Sequence, residues 1–394
     1  MATISAPRFL LQILAFLQLI VSFSALPASA YTQISDEALR SIPSPGKDFD
    51  IHNGALLAPI LRPRVPGTPG STAVLNHFAK FFKSTLPDWT VEHQNSTSTT
   101  PTSQGREVPF VNFIAYRDPP WAAAGDVGRL TLVAHYDSKL TPEGFIGATD
   151  SAAPCAMIMY AARSVDRALT KKWAKMKADG EDGFDENRGV QIIFLDGEEA
   201  FLSWTHTDSL YGARALAEHM DSQFHPALST YKTTLNSISL FVLLDLLGSK
   251  NPTVPSYFTT THWAYQKMAA LEDRLRSLRL FKSSPNHRRD SATKEPLFLN
   301  DAAKQPAAFM GFQIEDDHMP FMARGAEVLH LIPSPFPHVW HDMQDDGEHL
   351  DIPTVEDWAL LTTAFVGEWM ELDGFFDAAP SREKRWRPSG KTEL

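Results

Sequence analysis

The residues with the strongest chemical potential sit just after apolar runs. His135-Tyr136-Asp137-Ser138 follows the run at 130–134, and Gly147-Ala148-Thr149-Asp150-Ser151 comes soon after, immediately before a helical pattern. Asp196-Gly197-Glu198-Glu199 follows 190–195, Asp245 follows 238–244, and the run at 328–332 contains His330 and leads on to Trp340-His341. Taken singly, each has a plain structural reading: an Asp before a helix caps it, an acidic pair after a strand makes a turn, and a lone His supports the fold. Gathered at one end of a sheet, unpaired carboxylates repel and must lose water unless a cation holds them. Asp, Glu and His around an ion with one position left open is a catalytic zinc set. The adjacent Glu198 and Glu199 add a division of labour. Neighbouring side chains diverge in extended or turned backbone, so one can bind metal while the other faces substrate as a proton carrier.

The elements that must position these residues follow from the same runs. Apolar stretches at 110–116, 130–134, 190–195, 238–244 and 328–332 alternate with helical patterns near 151–176, 210–220, 262–278 and 355–372. Several stretches are apolar at nearly every position, as strands buried on both sides are. This alternation predicts an α/β fold: a single globular domain with a central mixed, mostly parallel twisted sheet flanked by helices on both faces. In such a sheet ligands bind beyond the carboxyl ends of the strands, where the residues above fall. Upstream, Val74, Leu75, Phe78, Phe81 and Phe82 recur at helical spacing within 71–86. A short apolar helix is expected around 55–61, closed by prolines, then a turn at 67–70 and a polar loop at 95–105. Residues 177–188 read as a solvated acidic connector, and the polar, basic tail 378–394 as disordered.

Composition narrows the partners and the compartment. With 394 residues, 43% hydrophobic and 21% charged, the chain is an ordinary globular protein, and its net charge of −11 speaks against nucleic acid and for peptides or small molecules. Residues 1–30 carry Arg8, an uncharged apolar run at 9–23 and Ala28-Ser29-Ala30, which fits a secretory signal peptide; uncleaved, it would serve as an anchor. The expected domain is then 31–377, with no further membrane span. Asn95-Ser96-Thr97 is a glycosylation sequon, and Lys391-Thr392-Glu393-Leu394 lies one residue from an endoplasmic-reticulum retrieval signal. The expected location is the secretory pathway, either secreted or retained in the lumen of the endoplasmic reticulum or Golgi. Cys155 is the only cysteine, which excludes an intrachain disulfide and fits a buried, unreactive thiol.

Seven segments together resemble the animal-type glutaminyl-peptide cyclotransferases, relatives of the two-zinc aminopeptidases. They are HYDSK at 135–139, GFIGATDSAAPCAM at 144–157, DGEEAFLSW at 196–204, DSLYGAR at 208–214, LLDLLGSKNP at 243–252, DDHMPF at 316–321 and VLHLIPSPFPHVWH at 328–341. The resemblance implies a zinc-dependent acyltransferase that converts N-terminal glutamine of peptides and proteins, with glutamate as a second substrate, to pyroglutamate. It implies one zinc held by Asp150, Glu199 and His341. Glu198 would be the general acid/base, Asp245 and Asp316 its acidic companions in catalysis, and Trp204, Phe336 and Trp340 the aromatic wall of the substrate pocket. His135 and His330 stand beside this set, as ligands of a second metal or as supports of the first. There are three departures from the family pattern: Ala134 replaces the cysteine that would pair with Cys155, Glu315 stands where glutamine is usual, and 171–189 is longer and more charged. The main alternative is a two-zinc aminopeptidase, because His135, Asp150, Glu199, Asp245 and His341 also match its five ligands in chain order, with Glu198 activating water. Trp204 and the segment 330–341 favour cyclisation. A catalytically silent peptide-binding module would be expected to have lost ligands or the acid/base, and none is lost.

Overall fold

The principal elements, in chain order, are α1 (Asp36–Ser41), α2 (Pro69–Thr85), β1 (Thr90–Thr99), β2 (Glu107–Arg117), β3 (Gly128–His135) and α3 (Ala153–Asp179), the last preceded by a π-helical turn (Ala148–Ala152). Then come β4 (Arg188–Leu195), α4 (Tyr211–Ser222), β5 (Ile238–Leu244), α5 (His262–Ser277), α6 (Met319–Met322), β6 (Val328–Leu331) and α7 (Ile352–Trp369). This computed structural model describes residues 32–181, 187–283, 297–309 and 314–377. The signal expected at 1–30 and the tail at 378–394 lie outside the described residues, as does part of the 177–188 connector.

The six strands are ordered β1-β2-β4-β3-β5-β6. Strands β4, β3, β5 and β6 run parallel, while β2 joins β4, and β1 joins β2, antiparallel. The sheet is therefore mixed, with its parallel part carrying the residues of interest. Alternate side chains of each parallel strand enter opposite layers. Leu130, Leu132, Ile192, Phe194, Leu240 and Val242 pack with α2, α3, α5 and α7, whereas Val133, Ile193, Leu195, Phe241 and Leu243 pack with α4 and α6. Helices thus cover both faces, and a one-residue slip of any central strand would exchange its two apolar sets. Fully burying each Leu or Phe contributes roughly 1.5–3 kcal/mol, so register is strongly specified.

Helix α3 runs three residues beyond the expected end and stops at Gly180. That residue takes φ 74° and donates its N–H to the carbonyls of Met176 and Lys177, a left-handed cap that a side chain would oppose. Two expectations need correction. Residues 95–99, read as part of a loop, belong to β1, which pairs along its whole length with β2, from Thr90 opposite Tyr116 to Thr99 opposite Glu107. As an outer strand β1 has no fully buried position, so its sequence carries no apolar alternation. Residues 55–61 form turns rather than a helix, because Pro59 and Pro63 interrupt the segment, although Leu56, Leu57 and Ile60 do enter the core. Helix α1 escapes periodicity by its shortness; Ser35 caps it, its side chain accepting from the Ala38 N–H. From Ile34 on, the described residues form one compact unit, and no helix among them is long and apolar enough to cross a membrane.

Candidate active site

The carboxyl ends of β3, β4, β5 and β6 deliver His135, the Asp196–Glu199 segment, Asp245 and His330 to one edge of the sheet. Three buried groups to which sequence reasoning gave no role hold this edge together. Asp137 lies two residues beyond His135, and its carboxylate accepts the backbone N–H of Glu198 at 3.1 Å and of Glu199 at 3.2 Å. The signal was present in the i, i+2 spacing of His135 and Asp137, which puts both on one side of an extended segment. Arg64 is fully buried and donates to the carbonyls of Tyr136 and Ile146, to Gly147 at 2.9 Å and to Asp150 at 3.2 Å. Asp345 accepts the Thr149 N–H at 2.7 Å on its side chain and the Ala148 N–H at 3.0 Å on its carbonyl. No local pattern marks Arg64 or Asp345. Between them runs the Asp150 loop, where Gly147 has φ 61° and a Cβ would stand 2.1 Å from the Asp150 carbonyl oxygen.

The ligand set Asp150, Glu199 and His341 comes together as follows. His341 Nε2 lies 3.5 Å from Asp150 Oδ2 and 3.6 Å from Glu199 Oε2. A tetrahedral ion with bonds of about 2.0–2.2 Å separates its ligand atoms by roughly 3.3–3.6 Å, which both His341 distances match, and all three ligand atoms lie within 4.8 Å of one another, so the set suits a zinc-sized cation. Glu199 Oε2, the oxygen facing His341, also accepts from Lys139 Nζ at 3.2 Å, while Oε1 is buried with no hydrogen-bond partner, so the carboxylate keeps acceptor capacity for a cation. His341 itself sits at φ 58°, a left-handed conformation that costs a non-glycine residue about 1–2 kcal/mol and is common at functional sites. A second set shares Asp150: His135 Nε2 is 2.9 Å from Asp150 Oδ1 and 3.5 Å from Asp245 Oδ1.

Burial dominates the electrostatics. It lifts the Asp150 carboxyl to about 6, with Glu199 adding to the rise. It pushes Glu198 well above the carboxylate range; His135 opposes this, while Glu199 and Asp316 reinforce it. Asp316 is also raised, by burial and then by Asp245. Asp245 goes the other way: against burial, hydrogen bonds from His135 and Ser151 hold it below its usual value. His330 Nε2 lies 2.7 Å from Asp316 Oδ2, and burial favours the uncharged pair, an imidazole accepting from a protonated carboxyl. Cys155 is free and buried, its thiol raised to about 12 by burial and donating to the His135 carbonyl at 3.2 Å.

A cavity of about 360 Å³ opens onto this edge, lined by Asp150, Glu198, Glu199, Trp204, Asp245, Phe336, Trp340 and His341 among others. Trp204 and Trp340 are 37% and 41% exposed, so they are wall residues and not core packing. The Trp340 ring stacks on His341 at 3.9 Å and meets Phe336 edge-on at 4.8 Å. Trp204 Nε1 donates to Glu315 Oε2 at 3.0 Å. Asp316, His135 and His330 do not line the cavity; they are buried behind it. Asn95 is exposed on β1, opposite Val111, and does not belong to the site.

Residues 122–366 match the family model of peptidase family M28. A glutaminyl-peptide cyclotransferase of Gloydius blomhoffii is 39% identical over 326 residues, 80% of each chain. One from Bos taurus is 38% identical over 320 residues, covering 80% of this chain and 81% of the relative. Among solved structures, a glutaminyl cyclase of Macrostomum lignano superposes with a TM-score of 0.69 at 28% identity, covering 88% of this chain and 97% of the other.

Proposed function

Because the chain belongs to peptidase family M28 and, within it, to the glutaminyl-peptide cyclotransferases, we propose that it converts the N-terminal glutamine of peptides and proteins to pyroglutamate with release of ammonia. The observation that carries this proposal is the convergence, on one cavity, of a buried proton carrier, a three-ligand metal set and two exposed tryptophans. Asp150, Glu199 and His341 would hold one zinc per chain. When bound, it supplies a Lewis acid that polarises the γ-carboxamide oxygen and stabilises the charge developing there.

The remaining steps fall to the chain's own residues. Trp204, Phe336 and Trp340 fold the glutamine side chain back on its own α-amine and exclude water, which makes the reaction intramolecular. Glu198 accepts a proton as the α-nitrogen bonds to the γ-carbon, closing the ring. It returns that proton to the amide nitrogen as the old C–N bond breaks, and ammonia leaves. A carboxyl that both takes and gives a proton near neutral pH needs a raised pKa, which burial beside Glu199 and Asp316 supplies. Asp245 and Asp316, tied to His135 and His330, keep this acidic cluster in place. N-terminal glutamate is proposed as a second, poorer substrate, since water would have to leave in place of ammonia.

The His135–Asp150–Asp245 set favours a second reading, a two-zinc aminopeptidase in which Glu198 activates water. Incubating the protein with a glutamine-initiated and a leucine-initiated peptide, while quantifying zinc, separates the two. Ammonia, a blocked N-terminus and one zinc per chain support the cyclase; released leucine with two zincs would overturn it. The secretory pathway is the proposed compartment, with residues 1–30 as signal and 31–377 as the enzyme domain. Exposed Asn95 supports this, being accessible to a glycosyltransferase.

A further inference from the structure

Among the described residues of the cavity wall, Glu315 is the one exposed carboxylate. Its Oε2 accepts the indole N–H of Trp204 at 3.0 Å, which pins the negative charge to the rim instead of leaving it on a free side chain. Among the described residues no cation pairs with it: the one lysine of the wall, Lys139, is engaged with Glu199 at 3.2 Å. The wall as a whole carries five carboxylates, Asp150, Glu198, Glu199, Asp245 and Glu315, more than one lysine and one divalent ion balance. Around Glu315 the rim is apolar and open. Leu202 is 73% exposed, Trp204 37% and Trp340 41%.

The interior of the cavity is where an N-terminal glutamine must lie, because Glu198, Glu199, Asp150 and His341 face it. The next residue of the peptide has to leave over the rim. There it meets apolar and aromatic surface with a single fixed anion. Such a surface suits a long cationic side chain, whose methylenes pack on the indole while its charged end reaches the carboxylate.

Resting on the cyclase proposal, we infer that Glu315 is a specificity-determining residue that selects substrates with arginine or lysine immediately after the N-terminal glutamine. The test compares kcat/KM for three peptides that differ only at the second position, Gln-Arg, Gln-Ala and Gln-Glu, in the full-length zinc enzyme. The wild type is expected to prefer Arg over Glu by about fivefold or more, the difference lying in KM and shrinking in 0.5 M salt. Glu315→Gln should bring that ratio close to one, and Glu315→Lys should invert it. A wild-type ratio near one, or a ratio unchanged in both variants, overturns the inference while the cyclase proposal stands. Equal losses on all three peptides also overturn it, since Glu315 would then serve the α-amine or the Trp204 orientation. If Gln-Ala yields no ammonia from the wild type, the cyclase proposal itself has failed, and this inference with it.

Discussion

Glu198 and Glu199 are neighbours in the chain to which we assign separate tasks, and their shared support is Asp137, whose two oxygens take one backbone N–H from each. Replacing Glu198 by Gln removes the proton carrier and leaves the ligands untouched. We expect kcat/KM to fall at least about 100-fold while zinc per chain stays at the wild-type level. Loss of the metal instead would mean that the two glutamates have been assigned the wrong way round. Asp137→Asn should act on both tasks together, because one acceptor oxygen becomes a donor facing a backbone N–H. Support of this kind is worth about 10–100-fold in metal affinity, which chelator competition would read, with activity falling in parallel. Asn95→Gln should abolish the endoglycosidase-sensitive mobility shift of protein secreted from eukaryotic cells, and an unshifted wild type would refute modification at that site.

The Asp150 loop and the segment leading into α6 show how elements are held for this purpose. Arg64 answers four carbonyls around that loop, so Arg64→Met strands several buried acceptors, each costing about 1–3 kcal/mol. Urea unfolding should show a loss of more than about 3 kcal/mol, among the larger effects of single substitutions. Beside α6, His318 is buried against His330 and Phe258, and burial lowers its pKa to about 2, with His330 adding to the effect. The folded protein keeps it neutral while the unfolded chain protonates it near pH 6.5. Its contribution is therefore complete above that pH and declines below it, by about 1.4 kcal/mol per pH unit, until the folded value is reached. The Asp316–His330 pair behaves differently. It retains one proton when folded, whereas the unfolded chain carries little at pH 7.0 and gains one, on the histidine, by pH 5.5, so the pair stabilises as pH falls and, with the raised carboxyls of Glu198 and Asp150, offsets part of the His318 loss. The His318 part is read as the difference in urea-unfolding free energy between wild type and His318→Gln, which should move against the wild type by roughly 1 kcal/mol between pH 7.0 and 5.5; a difference independent of pH would place the acid sensitivity elsewhere.

For the protein as a whole, a metal held only by the folded state is linked to folding, since Asp150, Glu199 and His341 come from three separate segments. Zinc at 100 times its dissociation constant stabilises by about 2.7 kcal/mol, so a chelator should lower Tm and added zinc restore it. A Tm indifferent to chelation would argue against this site. Much of the architecture was legible from periodicity alone. The five apolar runs became strands and the longer helical patterns became helices, because alternation and helical spacing report burial, which is a local property of each segment. The candidate site was legible where residue types were unusual for their place, as with the acidic groups that follow buried strands and the Trp340-His341 pair, which line one cavity. What tertiary structure alone decided is which of these residues meet. Arg64 reaches Asp150 across 86 positions and Asp345 reaches Thr149 across 196, and no short window of sequence carries such a contact. Likewise β1 is a strand because β2 offers it a hydrogen-bonding edge, not because its own polar residues demand one. Pairing, clamping and the ångström-level spacing of ligands are properties of contacts between distant segments, and they exist only once the chain has closed on itself.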